Sequence, residues 1–371
     1  MTTKINVPFF NYSRAYLDDR DNLMKIFDDV GHRGAFIMQK DLRDFEESLA
    51  KYTGANYAVG VANATDGLEL SWLALGLRPG DEVICCAHTM LATAASIRTG
   101  GGVPVPVELG DDGLIDPEAV EDAINPRTVG IMPTQLNGRT CNMDRIMSIA
   151  NKHRFFVVED AAQALGSRFK GKHAGTFGHA AAISFFPAKV LGSLGDGGGV
   201  ITNDAHIFDT IYQLHDHGRD INGDVKSWGR NSRLDNLQAA ILNHNLKSYD
   251  RVIERRRGIA ALYQGRLGGL NELQLPPGPD ANPIYFDIYQ NYELQADRRD
   301  ELRECLRLNG IGTLIQWGGK AVHQWEYLGF TVKLPKVERF FERCIMLPMN
   351  MFISDDDVHY ICDQVINFYR K

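Results

Sequence analysis

Short apolar runs alternate with amphipathic stretches through the first two-thirds of the chain. The runs fall at Tyr57–Val61, 82–86, 103–107, 128–132, 154–158 and 180–186, with a last one at Val200-Ile201. Between several of them lie stretches at helical spacing, 91–100, 116–124 and 143–152. Continuous apolar runs separated by helical patterns suit strands covered on both faces by crossover helices. The rhythm predicts an α/β fold with a doubly wound, mainly parallel sheet.

Upstream, residues 1 to 12 read as an arm. A helix is predicted from Ser13 to Val30, a turn at Gly31-His32-Arg33-Gly34, and an amphipathic helix from Lys40 to Tyr52 with Leu42, Phe45 and Leu49 on one face. Downstream, 205–217 is helical, and Asp235 to about Arg266 reads as one long helix without proline. Past Gly268 the stretch LNELQLPPGPDANP is a proline-rich connection. Beyond it, Ile284–Leu294 and Ile311–Trp317 are strand-like, Asp297 caps a charged helix to Leu308, and Ser354-Asp355-Asp356-Asp357 opens a final helix. The expected organisation is a large domain over 1–248, including the arm, and a small C-terminal α+β domain over 249–371.

Composition narrows the picture. With 371 residues, 44% hydrophobic and 23% charged, the chain is long enough for two packed units of an ordinary globular protein. A net charge of −7 offers no footprint for nucleic acid, and the one basic cluster, Arg251 to Arg257, lies within a helical pattern. Six cysteines carry no C-x-x-C spacing, so no metal site is expected, and Cys85-Cys86 sit in an apolar run as buried thiols do. Free thiols and the lack of a secretion signal or a bilayer-length apolar run point to a cytoplasmic protein with no membrane partner.

The candidate chemistry lies between Val157 and Asp204. One strand ends on Glu159-Asp160, and another ends on Pro187-Ala188-Lys189. A glycine-rich turn, Gly195 to Gly199, then feeds a third strand. An open α/β sheet brings such strand ends into one crevice. A lysine there can have its pKa lowered and can form a Schiff base. The glycines do not make a dinucleotide loop, because they lead into a strand and not into a helix. At Asn63-Ala64-Thr65-Asp66-Gly67 a turn opens a helix, whose free amides favour an anion, with Thr65 as its expected cap.

Asp160-Ala161-Ala162-Gln163, Ser184-Phe185-Phe186-Pro187-Ala188-Lys189 and Gly195-Asp196-Gly197-Gly198 together resemble the core of the DegT/DnrJ/EryC1/StrS aminotransferases. These are pyridoxal-phosphate enzymes of fold type I that aminate keto-sugars, usually carried on nucleotides. The resemblance implies that Lys189 carries the cofactor and moves the proton, and that Asp160 pairs with the pyridine nitrogen. It implies Gln163 at the ring hydroxyl and Met90 over the ring face, where relatives commonly have an aromatic residue. Ala64, Thr65, Ser184 and, from the partner subunit of a homodimer with shared sites, Asn231 would hold the phosphate. Phe36, Gln135, Asn137, Lys320 and His323 are the substrate-side candidates. At Gln135, Asn137 and the loop Gly318–His323 the chain differs from commoner relatives.

The implied reaction passes an amino group from L-glutamate to a keto-sugar, nucleotide-linked or a free keto-sugar acid. Two other readings stand beside it. A pyridoxamine-dependent sugar dehydratase carries histidine where this chain has Lys189. A non-catalytic regulator on the same fold would be expected to lose Lys189 or Asp160.

Overall fold

A computed structural model describes residues 6–370. The first part of the expected arm, residues 1–5, and residue 371 lie outside the described residues. Strands β1 (Tyr57–Val61), β2 (Glu82–Cys86), β3 (Val103–Val107), β4 (Thr128–Met132) and β5 (Phe156–Asp160) lie close to the apolar runs. A short ribbon follows, β6 (Arg168–Phe169) and β7 (Lys172–His173), and then β8 (Ala180–Ser184) and β9 (Gly198–Thr202). The main sheet has the order β1-β9-β8-β5-β4-β2-β3. β3, β2, β4, β5 and β8 run parallel, while β9 is antiparallel to both of its neighbours, β8 and β1. Their ends gather Asp160, Ser184 and the turn bearing Lys189 on one edge.

Helices α1 (Tyr12–Arg33), α2 (Lys40–Thr53), α3 (Ala64–Ala74), α4 (Leu91–Thr99), α5 (Pro117–Asp122), α6 (Met143–His153) and α7 (Ala205–His215) surround this sheet. The expected turn at Gly31 is helical. α1 continues to Arg33 and stops at Gly34, which takes the left-handed conformation with φ 58° that a side chain would resist.

The predicted long helix is two helices, α8 (Asn236–Leu246) and α9 (Tyr249–Leu267), broken at Lys247-Ser248. The break turns α8 onto α2 and α9 onto α12 (Asp355–Tyr369), two different surfaces that one straight helix would not serve. Tyr249 and Ile253 of α9 pack with Leu42, Phe45 and Leu165, while Ile259, Tyr263 and Leu267 join the second core. Position 248/249 lies at the α8–α9 turn, and α9 contributes to both cores.

The smaller unit holds β10 (Leu273–Gln274), β12 (Tyr292–Ala296) and β13 (Cys344–Leu347) as an antiparallel sheet with α10 (Arg299–Leu308) and α12. A further strand, β11 (Tyr285–Phe286), pairs instead with β6, so the expected strand 284–294 is two pieces. Between them Tyr289 has φ 53°. The expected strand 311–317 is likewise reduced to isolated bridges at Ile311 and Leu314. Val7 bridges Ile311 and is buried in the second core, so the described part of the arm meets the smaller unit there. Asp297 does not cap α10; it accepts from Arg343, and Arg298 stands at the cap. Helix α11 (Pro335–Arg343) closes the interface between the units through Val337 and Phe341.

Candidate active site

The two adjacent carboxylates at the end of β5 do different work because neighbouring strand residues face opposite ways. Glu159 is fully buried and accepts from the amides of Gly175, Phe177 and Gly178 and from Gln135 Nε2, at 2.7 to 2.8 Å. Burial pushes its pKa up, and these four donors oppose that. It ties the 175–178 loop beneath the sheet. Asp160 accepts from Thr93 Oγ1 at 2.6 Å and from the Ala162 amide at 3.2 Å. Burial raises its pKa; the Thr93 and Ala162 bonds and the charge of Lys189 pull it back.

Lys189 follows β8 on a turn closed by its own amide donating to Phe186 O at 2.8 Å. Burial lowers its amine to about 8, against the opposing pull of Asp160. Nζ has no hydrogen-bond partner among the described residues. An amine near 8 carries a useful neutral, nucleophilic fraction at neutral pH. Gln290 braces the backbone on both sides of it: Oε1 accepts from Val190 N and Nε2 donates to Ala188 O, each at 2.9 Å. Gln290 comes from the irregular segment before β12, and nothing in local sequence pattern announces it.

At the start of α3 the cap is Asn63, not Thr65: Asn63 Oδ1 accepts from Asp66 N at 2.9 Å. The amides of Ala64 and Thr65 are left without a partner among the described residues. Gly198 of β9 passes so close that a Cβ on it would lie 2.4 Å from Asn63 C and 2.6 Å from Ala64 N. Gly198 pairs with Ser184 across the sheet, which brings Ser184 to the same place as these amides. Asp66 is turned aside, its Oδ2 accepting from Ser232 Oγ at 2.7 Å. Next to Ser232, Asn231 is exposed and accepts from Arg233.

Met90, at the cap of α4, is 48% exposed. Gln163 Oε1 accepts from the amide of Asn137 at 2.9 Å, which leaves its Nε2 as the donating end. A half-buried lysine within the electrostatic reach of a carboxylate, unspent helix amides beside a serine, and an oriented amide donor fit a phosphorylated pyridine aldehyde: anion at the helix, protonated ring nitrogen at Asp160. No cluster of His, Cys, Asp and Glu able to hold a metal ion occurs among the described residues.

Three of the substrate-side candidates have partners within the fold. Gln135 is fully buried; its Nε2 donates to Glu159 and its Oε1 accepts from Cys141 N at 2.6 Å, so it supports the loop under the site. Asn137 spends its side chain on the smaller unit: Nδ2 donates to Glu293 at 2.7 Å, and Oδ1 accepts from Asn291 at 2.8 Å and Gln316 at 3.0 Å. His323 is 7% exposed and pairs with Glu338 at 3.0 Å, at the start of α11. Lys320 is exposed and lies over the Trp325 ring, and Phe36 is 56% exposed, its carbonyl accepting from Asn236 N. A cavity of about 370 Å³, lined by His88, Asn137, Arg139, Tyr289 and Glu293 among others, includes neither Lys189 nor Asp160 and is separate from the crevice.

The pattern that defines the DegT/DnrJ/EryC1/StrS aminotransferase family matches residues 18–366. A pleiotropic regulatory protein of Geobacillus stearothermophilus is 34% identical, covering 99% of this chain and 99% of its own. A dTDP-3-amino-3,4,6-trideoxy-alpha-D-glucose transaminase of Streptomyces venezuelae is 35% identical over 97% of this chain and 95% of its own. The solved structure of S. venezuelae DesV in complex with a ketimine intermediate superposes with a TM-score of 0.94 at 35% identity, covering 99% of each chain. Together with a mainly parallel sheet of the fold type I kind and a site suited to pyridoxal phosphate, these matches place the chain in the DegT/DnrJ/EryC1/StrS aminotransferase family.

Proposed function

We propose that the protein is a pyridoxal-phosphate-dependent aminotransferase that moves an amino group from L-glutamate to a keto-sugar carried on a nucleotide, in a cytoplasmic pathway to an amino sugar. The observation that carries this reading is the placing of the half-buried Lys189, on the turn after β8, at the same edge of the sheet as Asp160, whose charge acts on its amine. When bound, the cofactor supplies an electron sink for the carbanion formed at the amino-bearing carbon. Lys189 would hold it covalently and, once released, carry the proton at Nζ. Asp160 would keep the ring nitrogen protonated, Gln163 Nε2 would donate to the ring hydroxyl, and Met90 would cover a ring face. Ser184 Oγ and the amides of Ala64 and Thr65 would bind the phosphate.

Asn231 would complete the phosphate site of a second copy of the chain. A homodimer is supported by exposed apolar residues on α1, Leu17 at 63% and Phe27 at 56%, and by Trp228 at 98% on the loop before Asn231. The nucleotide-linked acceptor is supported by the name of the S. venezuelae transaminase relative.

A regulatory role is the second reading, favoured by the name of the Geobacillus relative. Retention of both Lys189 and Asp160 in one crevice weighs against it. Borohydride reduction followed by peptide mapping tests the assignment: the cofactor is expected on Lys189, with loss of its visible absorbance. Label on another lysine, or none, overturns it. Cofactor on Lys189 without amino transfer from glutamate to any keto-sugar would favour the regulatory reading.

A further inference from the structure

Three threonine hydroxyls run in a line to Asp160. Thr134 Oγ1 lies 2.9 Å from Thr89 Oγ1, Thr89 Oγ1 lies 2.6 Å from Thr93 Oγ1, and Thr93 Oγ1 lies 2.6 Å from Asp160 Oδ2. They come from separate places: the turn after β4, the turn after β2 and the first turn of α4. All three are buried, at 5%, 1% and 0% exposure, so water does not compete for these bonds. Such a line of hydroxyls from three elements, ending on one carboxylate oxygen, is not demanded by the sheet.

Each hydroxyl has a single proton to give. An ionised carboxylate can only accept, so Thr93 gives its proton to Asp160 and must accept from Thr89. Thr89 has then spent its own proton and must accept from Thr134. The charge on Asp160 thus dictates the direction of all three bonds. Hydrogen bonds aligned in this way polarise one another, and more so where the surroundings are dry. Were Asp160 protonated on Oδ2, that oxygen could itself donate to Thr93, and the order of the chain would no longer be fixed.

We propose that Thr134, Thr89 and Thr93 form a directional hydroxyl chain that holds Oδ2 of Asp160 and favours its anionic form, leaving Oδ1 as the oxygen with capacity for a protonated ring nitrogen. Apart from the chain, the Asp160 carboxylate has only the Ala162 amide as a hydrogen-bond partner among the described residues, at 3.2 Å on Oδ1. The neighbouring charged group is Lys189, whose amine is consumed when it binds a carbonyl. The chain is then the permanent support of the carboxylate charge, present with and without a free lysine. The three threonines are positioning residues, acting on the cofactor only through Asp160. This inference rests on the cofactor reading given above.

The test uses holoenzyme reconstituted with pyridoxal phosphate labelled with ¹⁵N in the ring. Thr93→Val keeps the shape and removes the donor, Thr93→Ser keeps the donor, and Thr134→Val cuts the chain at its far end, away from Asp160. The ring-nitrogen signal of Thr93→Val is expected to move toward the unprotonated pyridine value, with Thr93→Ser close to wild type and Thr134→Val between them. Thr93→Val should also lower kcat about tenfold or more, the size of effect a hydrogen bond to a charged group carries, with KM for glutamate little changed. The double variant Thr93→Val/Thr134→Val should go no further than Thr93→Val alone, since the far hydroxyl acts through the near one.

An unchanged ring-nitrogen signal in Thr93→Val that has bound its cofactor overturns the chain. If Thr93→Val does not fold, an unchanged signal in Thr134→Val does so. Wild-type protein that acquires no visible absorbance with pyridoxal phosphate refutes the cofactor reading instead, so the two failures are distinct.

Discussion

The backbone amide of Asn137 donates to Oε1 of Gln163 at 2.9 Å, and Asn137 is held to do so by residues from the other unit of the molecule. Its φ of 57° is left-handed, and Glu293, Asn291 and Gln316 bind both ends of its side chain. Docking of the smaller unit is thereby coupled to the direction in which Gln163 points its amide group.

Asn137→Ala should therefore damage both halves of the reaction alike. It removes three side-chain hydrogen bonds and puts alanine in a conformation that disfavours it by roughly 1 kcal/mol. Single-turnover measurements with glutamate and with keto-sugar should slow by similar factors, about tenfold. Selective damage to the keto-sugar half would return Asn137 to the substrate. Asn137→Gly, which relieves the backbone cost, should recover stability but not rate.

Asp160→Asn should retain the cofactor and lose transamination by about a hundredfold or more, the scale of losing a placed electrostatic group in a dry site. Asparagine keeps one acceptor: its oxygen can take the place of Oδ2 and accept from Thr93 at the loss of the longer Ala162 bond, so folding should be little affected. Turnover within a few-fold of wild type would remove Asp160 from the role of ring partner.

Cofactor-free protein should be less stable with Lys189 than without it. The folded amine sits at about 8, below the ordinary 10.5, so the folded state disfavours the proton. That penalty is absent above the unfolded value, grows as pH falls from 10.5 towards 8, and is complete below 8. Lys189→Met should stabilise the apo protein at pH 7 by up to about 3 kcal/mol. The gain should shrink as pH rises above 8. Urea unfolding at fixed protein concentration at pH 7 and 9.5 measures both. An equal gain at the two pH values would show that packing and not charge is responsible.

Shared sites predict complementation. When Lys189→Ala and Asn231→Ala chains are mixed, each heterodimer has one site with both lesions and one with neither. Activity should return to about a quarter of wild type if chains exchange freely, provided Asn231→Ala alone is impaired. No recovery after verified exchange would place Asn231 in the site of its own chain.

The sheet was legible because every strand is a continuous apolar run bounded by turn residues, a local pattern. Asp160, Gln163, Ser184 and Lys189 stand at strand ends or turns, where the same pattern marks them. What the pattern leaves open is direction. Gln135 and Asn137 are polar residues in a loop after β4, and sequence alone does not say which side they serve. In the fold their partners are Glu159 for one, and Glu293, far along the chain in the smaller unit, for the other. His323 is the same case, taken by Glu338. The break at Ser248 was hidden because apolar spacing continues through it while the surface being covered changes.

Gly198 has no side chain and can offer a ligand little, yet it sets how closely β9 and the start of α3 approach. An added methyl at 2.4 Å from Asn63 would have to push the strand and the helix apart. Ser184 rides on the strand paired with β9, and the free amides ride on the helix, so their separation would widen with it. The grip on a phosphate is thus a matter of clearance as much as of donors. A survey confined to residues that touch the ligand would score this position as inert, and a library that varied it would lose binding while every donor remained in place.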